Sequence, residues 1–275
     1  MTTPPPGISV LIRAFNSAKT LERLLSKLVL AEGDEILVVD SGSTDATLQI
    51  AQRHGAKIIV APGPFNYSKS LNLGFRAASN PWVLVISSHC IPVVEDFLGI
   101  YRRESAAFPE EAVVGYAPSG LSGRSDPALD PFRTVFFAEK EYPRVSRVCG
   151  NANTIYRRRA WMELPFDETI RTAEDKLWLM EMLKRGRRFA YIPAARGVNQ
   201  NQASLRYMFN KGCSDARALR SASFKPMTLR QLAGALKNLA KQAIRERIGW
   251  GNWIRYSAHA FGRFAGSHRS QDNTP

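Results

Sequence analysis

The segment from Ile8 to Cys90 alternates short β-rich apolar runs with helical patterns, and this alternation restricts the fold more than anything else in the chain. Ile8-Ser-Val-Leu-Ile12 precedes Thr20 to Leu30, where Leu21, Leu24, Leu25 and Leu28 recur at helical spacing. Glu35-Ile-Leu-Val-Val39 is almost wholly apolar and ends at Asp40, the pattern of a parallel strand buried on both faces. A helix through Leu48 and Ile50 follows, with Ser43 or Thr44 as the expected N-cap. Lys57 to Val60, Ser68 to Ala78 and Trp82 to Ile86 continue as strand, helix, strand. Such repeats build βαβ units with right-handed crossovers, so the expected class is α/β, with a Rossmann-like, mostly parallel central sheet flanked by helices. At 275 residues, with 44% hydrophobic and 10% aromatic side chains, the chain can bury the core this fold requires.

In sheets of this kind a ligand sits beyond the carboxyl ends of the strands. Asp40 and Ser87-Ser-His89 both fall there. A carboxylate at position 40 can accept hydrogen bonds from a base or a ribose; a simple turn-starting Asp explains the position equally well. Ser41-Gly-Ser-Thr-Asp45 offers small hydroxyl residues at a helix start, suited to a polar or anionic ligand, or to an ordinary capped turn. No GxGxxG follows the first strand, and no GxxxxGK[ST] or GxSxG occurs. Those absences weigh against dinucleotide-binding, P-loop and α/β-hydrolase readings.

From about 112 to 200 the pattern is less regular. Pro118 to Pro131 is rich in Gly, Pro, Ser and Asp, long enough for a lid or an acceptor loop. Glu174 to Lys184 reads as an amphipathic helix opening on the acidic pair Glu174-Asp175. Neighbours on a helix point about 100° apart, so the two carboxylates cannot both face one substrate atom. One is the candidate general base and the other a cap or structural partner. The helix N-terminus and Lys176 both favour the ionised form that a base needs.

From Ser204 to Pro275 there are 13 Lys/Arg against Asp215, Glu246 and Asp272, a net of +10 out of +14 for the chain. Residues 204–275 are therefore expected as a basic helical extension beyond a domain at 1–203. One helix carries Leu229, Leu232, Leu236, Leu239, Ala243 and Ile244 on one face, with Arg230, Lys237, Lys241 and Arg245 on or beside the other. An anionic membrane surface is one expected partner; a solvated basic face packed on the domain is the alternative. Trp250, Trp253 and Tyr256 suit a headgroup zone. The three cysteines, Cys90, Cys149 and Cys213, form no CxxC pair and fit a reducing compartment. MTTPPPG has neither positive charge nor apolar core, so no signal peptide is expected, and no apolar run is long enough to span a bilayer. The expected location is cytoplasmic, peripheral at the inner face of the plasma membrane if the basic helices dock there.

Asp40-Ser-Gly-Ser-Thr-Asp45 after an Ile-Leu-Val-Val strand resembles the nucleotide-binding signature of family 2 glycosyltransferases, which have the GT-A fold. Phe65-Asn-Tyr-Ser-Lys-Ser-Leu-Asn-Leu-Gly74, Gly150-Asn-Ala-Asn153, Tyr156-Arg-Arg-Arg-Ala-Trp161 and Ala173-Glu-Asp-Lys-Leu-Trp178 are similar to a bacterial, rhamnosyltransferase-like branch. The resemblance covers about 7–220. It implies a nucleotide-sugar half at about 7–110 and an acceptor half at 111–203. It also implies inverting transfer from a UDP or dTDP sugar to a saccharide or lipid-linked acceptor, in polysaccharide or glycolipid synthesis. Asp175 is the implied base, beside Glu174. The donor group takes in Arg13, Ala14, Asn16, Asp40, Ser41, Gly42, Ser43, Asp45, Lys69, Ser87, Ser88 and His89. Asn151, Asn153, Lys176 and Trp178 are acceptor-side candidates.

Two departures bear on the metal. Relatives carry Asp-x-Asp where this chain has Ser87-Ser-His89, and histidines where it has Asn199-Gln-Asn201. His89 is then the one candidate ligand for Mn²⁺ or Mg²⁺, and Arg13, Lys69 or Arg206 are alternative cations for the leaving diphosphate. A catalytically inactive nucleotide-sugar-binding scaffold is the rival reading. A nucleic-acid partner rests on basic charge alone, with no recognised motif, and is not expected.

Overall fold

The computed structural model describes residues 6–120, 129–130, 132–142, 149–170, 172–200, 204–221, 226–245 and 250–268, without the side chains at 220–221, 242–243, 245 and 250–253. Much of the Pro118–Pro131 loop, Asn201, and the side chains of Trp250 and Trp253 therefore lie outside the described residues. The chain divides into one unit of residues 1–169 and 174–200 and a second of 170–173 and 201–275.

In the first unit the elements run β1 (Ile8–Ala14), α1 (Ala18–Leu25), β2 (Glu35–Asp40), α2 (Thr47–Arg53), β3 (Lys57–Val60), α3 (Tyr67–Ala77), β4 (Trp82–Ser87), β5 (Cys90–Pro92), α4 (Phe97–Ala106), β6 (Ala112–Tyr116), β7 (Val135–Phe137), β8 (Asn153–Arg157), α5 (Arg158–Glu163), α6 (Glu174–Lys184), β9 (Arg188–Tyr191) and β10 (Gly197–Asn199). Among the described residues eight strands form one sheet in the order β3-β2-β1-β4-β8-β6-β9-β7, and β10 pairs with β5 apart from it. The β3-β2-β1-β4 half is all parallel, as the alternating pattern requires. The sheet as a whole is mixed: β8 runs antiparallel to β4 and β6, and β7 antiparallel to β9.

That antiparallel strand decides where the site forms. β8 pairs Asn153 with Ile86, and the Ser87 amide donates to the Ala152 carbonyl at 3.1 Å. Because β8 runs backward, its amino end lies at the carboxyl ends of the parallel strands. Gly150 and Asn151 thus arrive at the ligand edge from far along the chain. β6 and β8 are buried on two faces, so neither carries a period-2 alternation of apolar and polar residues.

Local boundaries follow hydrogen bonding rather than hydrophobic spacing. The helix expected at Thr20–Leu30 spans Ala18–Leu25. Lys27 and Leu28 donate three residues back, to Leu24 and Leu25, closing the helix in tight turns and leaving Val29 and Leu30 exposed. Leu21, Leu24 and Leu25 pack into the core with Val10, Ile12 and Val38.

In the second unit α7 (Leu205–Ser221), α8 (Leu229–Arg245) and α9 (Trp250–His268) are helical. Thr228 and Gln231 cap α8 reciprocally: the Gln231 amide donates to Thr228 Oγ1 at 3.2 Å, and the Thr228 amide to Gln231 Oε1 at 2.8 Å. α7 and α9 cross at glycines. A Cβ on Gly212 would lie 2.2 Å from the His259 carbonyl oxygen, and one on Gly262 2.1 Å from that of Phe209. Only hydrogen fits at either position. Asp215 on α7 accepts from Lys211 (3.2 Å) and from the Thr172 hydroxyl, and its other oxygen lies 3.2 Å from His259 Nε2.

Candidate active site

The carboxyl ends of β1 and β2 are tied together by their own loops. Asp40 is buried, and its Oδ2 accepts the Gly42 and Ser43 amides, each at 2.9 Å, while Oδ1 accepts the Ser43 hydroxyl at 2.5 Å. Gly42 has φ +92°, a conformation open to glycine and costly for other residues. Asn16, itself left-handed at φ 46°, donates its amide to Ser43 Oγ at 2.9 Å and accepts the Thr44 amide at 2.8 Å. Asp45 receives the Ala18 amide at 3.1 Å and the Thr47 amide at 3.0 Å. Desolvation raises the Asp45 pKa, but the Thr47 hydroxyl and these amides outweigh it and hold the carboxyl below its ordinary value.

This corrects the expected cap. Neither Ser43 nor Thr44 caps α2; Ala46 occupies the N-cap, and the Asp45 carboxylate takes the Thr47 amide instead. The hydroxyls of 43 and 44 are spent on Asp40 and Asn16. Ser88 Oγ donates to Ser17 Oγ at 3.0 Å, so the loop after β4 joins the same lattice.

The acidic pair sits beside this edge. Asp175 accepts the Asn151 amide on Oδ2 at 2.9 Å and the Lys176 amide on Oδ1 at 2.8 Å, and stays part-exposed. Glu174 is buried at 6%, accepts Asn151 Nδ2 at 3.2 Å, and lies 3.5 Å from Arg13 Nη1. Behind them the Tyr156 hydroxyl donates to Asn151 Oδ1 at 2.5 Å. Burial, and then the negative charges of Asp175 and Glu174, push the Tyr156 pKa well up, so the phenol stays a donor. Tyr156, Asn151, Glu174 and Arg13 thus form a continuous polar chain under the site. The guanidinium of Arg13 also lies 4.7 Å over the Tyr67 ring.

Two polar atoms at this edge are buried without a hydrogen-bond partner: Arg13 Nη1, whose 3.5 Å approach to Glu174 is an ion pair only, and Ser41 Oγ. They end adjacent parallel strands, since Ala14 pairs with Asp40. Buried donors left open are uncommon in native structures, and a polar ligand at this edge is one partner that would satisfy them.

A model of glycosyl transferase family 2 matches residues 9–163, more than half of the chain. The chain belongs to glycosyl transferase family 2. The succinoglycan biosynthesis protein ExoO of Rhizobium meliloti is 28% identical over 206 residues, covering 69% of this chain and 59% of that protein. The chain thus spans less than two thirds of that relative's length. The mannosyltransferase PcManGT of Pyrobaculum calidifontis, in complex with GDP-mannose and Mn²⁺, has the same fold at a TM-score of 0.66 and 15% identity, over 96% of this chain and 88% of that one. Glucosyl-3-phosphoglycerate synthase of Mycobacterium tuberculosis, with Mn²⁺, UDP and glucosyl-3-phosphoglycerate, aligns at 0.58 and 20% identity, over 78% and 79%. The fold is therefore GT-A.

Within this family member the expected residues divide by setting. Arg13, Asn16, Asp40 to Ser43, Asp45 and Ser88 meet at the strand ends through the bonds above, and Ala14 contributes its carbonyl to the Ser41 amide at 3.0 Å. Lys69 lies in the first turn of α3, its amide bonded to the Asn66 side chain at 2.9 Å. Asn153 and Trp178 do different work from that expected. Asn153 is fully buried, donating to the Pro118 and Ala195 carbonyls and accepting from Tyr101. Trp178 is buried among Tyr156 and Phe166, with Nε1 on the Leu164 carbonyl. Both are packed into the wall behind the site, Asn153 fully buried and Trp178 4% exposed. Phe15 went unnoticed in sequence: it is 59% exposed between Ala14 and Asn16, an aromatic ring where burial would be the rule. Its only sequence signal is its place between two donor-edge residues.

His89 fits a metal as a single ligand. Burial, and then the Arg13 charge, lower its pKa to about 4, so its imidazole is neutral with a lone pair to give. Among the described residues no group of three His, Cys, Asp or Glu stands ready to enclose an ion. Of the expected second departure, Gln200 accepts Arg23 Nη1 at 2.6 Å, and Asn201 lies outside the described residues. Burial pushes the Cys90 thiol up to about 12 and Cys149 higher still, leaving both unreactive.

Proposed function

We propose that this chain is an inverting glycosyltransferase that moves a hexosyl or deoxyhexosyl group from a UDP or dTDP sugar to an acceptor hydroxyl, in bacterial polysaccharide or glycolipid synthesis. The observation that carries the reading is the pair of buried open donors, Arg13 Nη1 and Ser41 Oγ, beside the part-exposed Asp175 carboxylate. Donors without partners suit phosphate oxygens, and a carboxylate at the same edge suits a hydroxyl proton.

Asp175 takes the proton from the acceptor hydroxyl as that oxygen attacks the anomeric carbon and the diphosphate leaves. The amides of Asn151 and Lys176 fix its two oxygens, so no side-chain reorientation is needed during reaction. Glu174 holds Arg13 and carries no proton in this scheme. Arg13 meets the diphosphate, with Lys69 as a second cation. Phe15 stacks on the base, and the Asp40–Asp45 turn holds the nucleoside. A divalent ion on His89 would supply further neutralisation of the leaving charge. Lys176 and the Gly150-Asn151 loop face the acceptor side.

No helix among the described residues is long and apolar enough to cross a membrane. A saccharide or lipid-linked acceptor and a cytoplasmic, membrane-peripheral location complete the reading.

The test is transfer and hydrolysis with a panel of nucleotide sugars, with Mn²⁺ or with EDTA. Asp175→Asn is expected to lower kcat by about 10²- to 10⁴-fold with UDP affinity unchanged. Full turnover in that variant would remove Asp175 as the base. Nucleotide binding by the parent without transfer to any acceptor would leave the scaffold reading in its place.

A further inference from the structure

α8 exposes an apolar edge directly beside a cationic stripe. Residues on a helix advance by about 100°, which brings Arg230, Lys237 and Lys241 within roughly 40° of one another. All three are exposed. Leu229, Ala233 and Ile244 lie on the strip next to them, spread over roughly 60°. Leu229 is 71% exposed and Ile244 82%. The opposite apolar flank is the packed one: Leu232 is buried, Leu236 and Leu239 are half-buried, and α8 packs on α9. The helix therefore has more apolar surface than the helical unit covers, and the surplus lies on the side that carries the charge.

Neither α8 nor α9 contains an Asp or Glu. A solvated face of an ordinary helix mixes both signs, whereas this one is cationic only. Its geometry is that of an interfacial helix lying in a membrane plane, with apolar side chains entering the acyl boundary and Lys and Arg reaching the headgroups from beside them. We propose that the Leu229–Ile244 edge of α8, flanked by Arg230, Lys237 and Lys241, is a docking surface for an anionic phospholipid bilayer.

The proposal gives a residue-level form to the membrane-peripheral part of the functional reading and does not use its chemistry. Vesicle binding is measured without donor or acceptor, so its failure leaves the transferase reading standing, and the reverse holds too.

The experiment is sedimentation of the full chain with extruded vesicles of phosphatidylcholine alone or mixed with phosphatidylglycerol, at low and high salt. The expected result is binding to the phosphatidylglycerol vesicles that weakens with salt. Lys237→Glu/Lys241→Glu is expected to weaken it by about tenfold or more, since each cation near a charged surface contributes appreciably. Ile244→Asp is expected to weaken it as well. All three sites are exposed, so circular dichroism melts should match the parent and exclude misfolding. Equal binding to both vesicle types, no binding to either, or unchanged binding in the variants overturns the proposal. So does salt-sensitive binding to an oligonucleotide, or self-association lost in these variants, where vesicles are not bound.

Discussion

At the scale of single residues, the site is a problem of charge held under cover. Arg13 and Glu174 are each mostly out of water, and each depends on the other. Arg13→Ala is expected to weaken UDP binding at least tenfold by calorimetry and to cost about 3 kcal/mol of stability, because Glu174 is left as a buried charge. Arg13→Ala/Glu174→Gln should recover most of that stability and none of the binding. Recovery of both would mean that Arg13 serves the fold alone. One step further back, Tyr156→Phe strips Asn151 Oδ1 of its donor, at an expected cost of about 1–2 kcal/mol by urea unfolding. Much of this set was legible in the sequence as motif residues, Asp40, Asp45 and Asp175 among them. What each one touches was not. Asn153 and Trp178 stand in motifs as conspicuous as the others, yet they face inward, and a residue's type does not say which way its strand or helix turns it.

At the scale of elements, periodicity served where both faces of an element see constant surroundings. β2 and β3 end where their apolar runs end, and α6 begins at the acidic pair. It failed where a neighbour sets the terms. α1 stops at Leu25 although its leucine spacing continues, because the chain's own carbonyls close a tighter turn there. The crossing of α7 and α9 is another neighbour effect. Gly212 and Gly262 look like weak points for helices taken alone, yet they permit the backbone approach. Gly262→Val is therefore expected to destabilise the helical unit by about 1–3 kcal/mol by forcing the helices apart, despite the better helix propensity of Val. A rise in thermal midpoint would show that the close crossing is not formed.

At the scale of the whole molecule, stability against pH should carry the mark of Asp215. Burial works to raise its pKa, but the hydrogen bond from His259, the charge of Lys211 and the Thr172 hydroxyl outweigh burial and draw it well below the unfolded value of 3.8. A carboxyl depressed on folding adds stability that is complete above pH 3.8 and lost as pH falls through its folded value. Urea midpoints should fall progressively as pH drops below 3.8, and Asp215→Asn should be about 2 kcal/mol weaker at pH 7 with a flatter acid limb. An unchanged acid limb would place the charge cluster outside the stability balance. The sequence by itself determined the α/β class, the parallel half of the sheet, the family, and the segments that form the ligand edge. These follow from local patterns, because a strand buried on both faces and a turn bonded to its own backbone carry their signals within a few residues. The tertiary structure alone decided that β8 runs backward and delivers Asn151 to Asp175, that Arg13 finds Glu174, and that Asn153 and Trp178 are walls. Those outcomes depend on pairings between residues 23 to 161 apart, and no local pattern records which distant partner will satisfy a buried charge.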